Sequence, residues 1–108
     1  MTVCELSKAL DCTVLNMADG DREVTGGYCG DLLSWVMGRA ESGDAWVTIM
    51  SNVNVIAVSV LADVACVVLA EGVELDSDAL DKARSEGINV LSSKMNSFAL
   101  SAKIFELI

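Results

Sequence analysis

Histidine is absent from all 108 residues, and its absence removes Ser-His-Asp triads, Cys-His dyads and histidine-ligated metals from consideration. Proline is absent too, and no long linker or low-complexity stretch interrupts the chain. Cations are scarce: seven Lys and Arg stand against sixteen Asp and Glu, giving a formal charge of −9 and a pI of about 4.1. Seven scattered cations do not match a run of phosphates, which argues against a nucleic-acid partner. What the chain has in quantity is aliphatic. Hydrophobic residues make up 53% although aromatics are only 5%, and mean hydropathy is +0.49. A disordered acidic tail lacks such content. The length suits one core, so residues 1–108 are read as a single domain.

Residues 1–5 have no basic region leading into an apolar run, so no signal peptide is expected. The longest uncharged stretch, residues 45–62, has a spanning length. Thr48, Ser51, Asn52, Asn54 and Ser59 recur through it, so it is read as buried core, with no membrane partner and a cytoplasmic location. Cys4, Cys12, Cys29 and Cys66 fit no zinc or iron–sulfur spacing, and reduced thiols are expected. Cys29 alone borders a Gly-rich segment, but no base flanks it. The acids Glu71, Glu74, Asp76, Asp78 and Asp81 read as a solvated helix start, since Asp76-Ser77-Asp78 lacks the remainder of a calcium loop. No metal or cofactor is expected.

Hydrophobic spacing predicts strands alternating with helices. A helix capped by Thr2 covers residues 2–10, and strands follow at 12–15 and, briefly, 23–25. A helix capped by Asp31 carries Leu32, Leu33, Val36 and Met37, and ends at Gly38 and Gly43. Strands are predicted at 45–50 and 65–70, the second apolar throughout as a doubly covered strand requires. Residues 53–60 have the β-branched content of a strand. Two flanking parallel strands nevertheless demand a crossover, so a helix capped by Ser51 or Asn52 is expected. A helix from Asp76 or Ser77 to Gly87 follows, with Leu80 and Ala83 inward and an Asp78–Lys82 pair. A strand at 88–91 and a last helix through Ile108 complete the chain, Phe98, Ala102 and Phe105 lining one side of that helix. Trp35, Met37, Trp46, Tyr28 and Met50 are assigned to the core. The pattern is α/β: a largely parallel sheet of about five strands, helices on both faces.

Asp21-Arg22-Glu23-Val24-Thr25-Gly26-Gly27-Tyr28, followed by Gly30-Asp31-Leu32-Leu33-Ser34, resembles the signature of the DRTGG domain family. Trp46-Val47-Thr48-Ile49, Asn54-Val55-Ile56-Ala57-Val58 and Glu86-Gly87-Ile88-Asn89-Val90-Leu91 extend the resemblance over nearly the whole chain. Glu23-Val24 separates Asp21-Arg22 from Thr25-Gly26-Gly27, so the naming motif is split. The resemblance implies a fold similar to the N-terminal domain of HPr kinase/phosphorylase. It implies a non-catalytic regulatory or dimerisation module, of the kind found beside CBS domains in regulated pyrophosphatases. It further implies a homodimer and an association with iron hydrogenase or another redox complex. Relatives often carry a His near the position of Asn52, which this chain lacks. A kinase of the related type needs a Gly-x-x-x-x-Gly-Lys-Ser/Thr loop, and no Gly here precedes Lys.

Thr25-Gly26-Gly27 has two readings: a tight turn, or backbone N–H groups presented to an anion. The acids Asp21, Glu23 and Asp31 favour the turn. A small, nucleotide-like ligand is expected beyond the C-terminal ends of the strands. The candidate contacts are Thr25, Gly26, Gly27, Asp31, Ser51, Asn52, Asn54, Gly72, Ser92 and Ser93. Two alternatives remain open: an assembly subunit without a ligand, and a small enzyme using Asp31 or Cys29.

Overall fold

A computed structural model describes every residue from Met1 to Ile108. The elements run α1 (Val3–Ala9), β1 (Thr13–Asn16), β2 (Gly26–Cys29), α2 (Leu33–Arg39), β3 (Asp44–Thr48), α3 (Val53–Ala62), β4 (Cys66–Leu69), α4 (Ser77–Glu86), β5 (Val90–Ser92) and α5 (Ser97–Leu107). The five strands lie in the order β1-β5-β4-β3-β2; only β1 is antiparallel to its neighbour. The α/β expectation holds.

The period-two alternation of the central strands sorts the core into two layers. Ala45, Val47, Cys66, Val68 and Leu91 face one way, onto Val3 and Leu6 of α1 and Leu100 and Ile104 of α5. Trp46, Val67, Leu69 and Val90 face the other way, onto Val36 of α2, Val55 and Ile56 of α3, and Ala79 and Ala83 of α4. All three crossover helices therefore share a face. The run β2-β3-β4-β5 advances in one direction, so these parallel strands never reverse order and open no crevice between diverging crossovers.

Residues 53–62 are helical against their local propensity, capped by Asn52, whose Oδ1 accepts from the Asn54 N–H at 2.9 Å. Asp63 ends the helix in the left-handed region. At α1 the Thr2 cap is joined by Glu5, whose carboxylate accepts from the Thr2 N–H in a reciprocal capping box.

Several expectations are corrected. Gly26 and Gly27 form no turn but an edge strand, parallel to Asp44 and Ala45 of β3, and neither has a positive φ. Gly26 is needed for space: a Cβ there would lie 2.6 Å from Asp44 Oδ1. Residues 23–25 contribute only an isolated bridge from Glu23 to Thr2. Asp31 does not cap α2, which starts from Leu32 without a side-chain cap, and Gly38 lies inside the helix. Within α4 the inward residues are Ala79 and Ala83, Leu80 being half-buried, and Lys82 pairs with Glu86 rather than Asp78. Trp46 is buried, but Trp35 and Met37 are exposed, with Arg39 stacked on the Trp35 ring. Phe98 and Phe105 point outward from α5.

Candidate functional site

The split motif builds a latch at the N-terminal end of the parallel strands. Arg22 donates from Nη1 to Asp63 Oδ1 at 3.1 Å and from Nη2 to the Asp63 carbonyl at 2.9 Å. The Ser42 hydroxyl donates to the other Asp63 carboxylate oxygen. Thr25 continues the latch through its N–H, which donates to the Gly43 carbonyl at 3.0 Å. Arg22 is thus committed to the αL end of α3 and is no spare phosphate ligand.

Hydrogen bonds from Arg22 and then Ser42 hold the Asp63 carboxyl below its ordinary range. The linked stability is therefore present above the unfolded-state value near pH ~4 and is lost as pH falls through the lower folded-state value. Asp63 is largely exposed and Arg22 about half-buried, so solvent screens the pair and Arg22→Ala should cost about 1 kcal/mol at pH 7. The gap between variant and parent should narrow below pH ~4, read as urea midpoints across pH.

The C-terminal ends of the strands gather a different set. Asp31, at the exit of β2, accepts from Thr48 Oγ1 at 2.7 Å and from the Ile49 N–H at 3.0 Å. Ser51 donates to Asp76 Oδ1 at 3.2 Å, and Asn52 is occupied as the α3 cap. After β4 the chain turns through Glu71 and Gly72, both at positive φ, and the Gly72 N–H donates to the Ser93 carbonyl at 2.7 Å. Ser92 donates to the Val73 carbonyl at 2.7 Å, and Ser93 Oγ accepts from the Met95 N–H at 3.1 Å.

The ten candidates therefore separate. Gly72, Ser92 and Ser93 share a groove of about 120 Å³ with Thr13 and Lys94 where β5 meets β1. Ser92, Ser93, Thr13 and Lys94 also line an adjoining depression of about 450 Å³ that reaches Asp11. Asp31, Ser51 and Asn52 sit at the same end of the sheet, at the exits of β2 and β3, and Asn54 is exposed on the first turn of α3. Thr25 and Gly26 lie at the opposite end, beside Gly43 and Asp44, because β2 runs parallel to β3. Gly27 instead lines a groove between β2 and α5. Thr13 and Lys94 went unread in the sequence. The antiparallel pairing of Thr13 with Ser92 brings them in, and no local pattern encodes it.

Neither residue of the enzyme alternative has the setting of a reactive group. Asp31 is exposed and already accepts two hydrogen bonds. Cys29 is exposed, and no residue lining its groove is charged. Burial pushes the thiols of Cys66 and Cys12 up, to about 12 and about 11. Such thiols are inert packing groups. No group of three or more Cys, Asp or Glu side chains converges to hold a metal. No helix is long and apolar enough to cross a membrane.

Fold and site together define a small α/β domain, its sheet mostly parallel, with polar groups gathered where the strands end. The chain belongs to the DRTGG domain family, whose model matches residues 5–107. A similar solved structure is the CBS and DRTGG domains of the regulatory region of a Clostridium perfringens pyrophosphatase, complexed with its activator diadenosine tetraphosphate. The TM-score is 0.73 at 13% identity, over 95% of this chain and 45% of that one, so this chain spans less than half of that structure. Among curated proteins, none matches the sequence.

Proposed function

We propose that the chain is a non-catalytic regulatory module that acts by association: it pairs with its own copies, takes a small nucleotide-like ligand and reports to a protein partner. The observation that carries this reading is where bonding capacity remains. At the C-terminal end of the sheet, Asp31, Ser51, Asn52, Ser92 and Ser93 are already bonded to the fold. Large apolar side chains meanwhile stand in solvent, Phe98 and Phe105 foremost. Such patches mark association surfaces. The similar pyrophosphatase region, which is regulatory and holds an adenine dinucleotide, supports the same reading.

For the ligand, the grooves at Ser92 and Ser93 are the preferred place. Lys94 is their single cation, with Asp11 and Glu74 nearby, a balance that suits one phosphate better than several. The partner class is a redox complex such as an iron hydrogenase, approached through a basic face that complements the −9 charge. Sedimentation and thermal melts with AMP, ATP and diadenosine tetraphosphate test the module. A dimer and a melting shift of a few degrees with AMP, lost in Lys94→Ala, are expected, with no phosphate released. A monomer that no nucleotide stabilises, or steady turnover, would refute the reading.

A further inference from the structure

Phe98, Ala102 and Phe105 are four and three residues apart on α5 and so share one side of the helix. Leu100 and Ile104 occupy the opposite side and are buried. Phe98 and Phe105 are the sole phenylalanines of the chain, and they stand 86% and 84% exposed. Beside them lies a groove of about 190 Å³ between α5 and β2, lined by Tyr28, Cys29, Val47, Ile104 and Ile108 among others. Ser101 Oγ, on that groove, is buried and has no hydrogen-bond partner within the chain. β2 is an edge strand, so the surface on this side is bare of any further element.

The charges at the two ends of α5 point to what covers it; Lys103, the other charge of the helix, is exposed but lies off the side that carries Phe98 and Phe105. Anions are favoured at a helix start and cations at its end. α5 has no acid in its first turn and no base in its last. Instead the exposed Lys94 precedes the helix and the exposed Glu106 lies in its final turn. Both are set against the dipole of their own helix. A second α5 laid antiparallel reverses the mismatch: Glu106 meets the positive start of the partner helix, and Lys94 approaches its negative end. A parallel copy would repeat the mismatch.

Resting on the reading that the chain self-associates, we propose that two copies pair through α5 in antiparallel fashion, about a two-fold axis between Ser101 and Ala102. Phe98 of each copy then packs on the other copy's Phe105 at the mouth of the groove, and the small Ala102 and Ser101 let the helices approach at the axis. A Phe offers roughly 150–250 Å². Four nearly bare rings thus supply about 700 Å² of the ~1,000 Å² that a specific interface needs. Ile108 and Cys29, also exposed along the seam, extend it.

The test combines sedimentation with disulfide trapping in a Cys29→Ser background. Phe98→Glu and Phe105→Glu should each raise the dimer dissociation constant at least tenfold while the monomer melts as the parent does, since both rings are exposed. Phe98→Ala should move the constant in the same direction. In an antiparallel pair, two copies of residue 98 lie about 10 Å apart along the axis, too far to bridge. Phe98→Cys and Phe105→Cys chains should therefore crosslink when mixed and not singly. Crosslinking of either chain alone, or a dimer indifferent to both Glu variants, overturns this interface and leaves self-association standing. A parent chain that stays monomeric overturns both.

Discussion

Replacing Asn89 with alanine is expected to lower stability by about 3–4 kcal/mol, with a melting midpoint lower by roughly 10–20 °C. Asn89 is a buried amide at the start of β5 and uses both ends of its side chain. Its Oδ1 accepts from the N–H groups of Ala18 and Asp19 at 2.9 and 2.8 Å. Its Nδ2 donates to the carbonyls of Asp19 and Ala65 at 2.8 and 3.0 Å. It ties the turn after β1, about seventy residues away in sequence, to the entrance of β4. Removal leaves the Ala65 carbonyl buried and unpaired, while Ala18 and Asp19 return to water. Asn89→Asp keeps the acceptors, loses both donors and adds a buried charge, so it should fare no better. Urea denaturation of the three proteins checks this; a loss below about 1 kcal/mol would mean that water replaces the amide.

The elements legible in the sequence were those whose signal is local. Thr2, Asn52 and Gly87 announce helix boundaries, and the unbroken apolar run at 65–70 announces a strand covered on both faces. The helix over Val53–Ala62 was legible only through topology, because its residues favour a strand and the crossover requirement outweighs them. What escaped is what depends on distant partners. Gly26 and Gly27 carry the composition of a turn, yet they extend along β3 as an edge strand, and at Gly26 the Asp44 side chain occupies the space a Cβ would need. Asp31 has the chemistry of a helix cap, but Thr48 and the Ile49 N–H, brought up by β3, claim its carboxylate. Phe98 and Phe105 have the composition of core, and only the placement of Leu100 and Ile104 against the sheet turns them outward. The same logic divides the candidate site. Residues following strand ends were brought together where neighbouring strands end together, and Thr25 and Gly26 were carried to the far end by the direction of β2.

The second large effect is expected at Trp46, where Trp46→Ala should cost about 3–5 kcal/mol, against a total of about 5–15 for a domain this size. The ring is fully buried at the middle of β3, within the cluster formed with α2, α3 and α4. Its Nε1–H donates to the Gly30 carbonyl at 2.9 Å, where the chain leaves edge strand β2. Truncation therefore opens a cavity and loosens the exit of β2, next to the Asp31 tie. Trp46→Phe separates these contributions. It keeps most of the packing and loses the hydrogen bond, so about 1–2 kcal/mol should go. Fluorescence follows each step, because the other tryptophan, Trp35, is exposed. The parent should show a blue-shifted component that vanishes in Trp46→Phe, leaving the emission of a solvated indole. Amide exchange should rise at residues 26–31 in both variants if the indole holds the β2 exit. Unchanged exchange there, alongside the full loss of stability, would place the whole effect in packing and detach the edge strand from it.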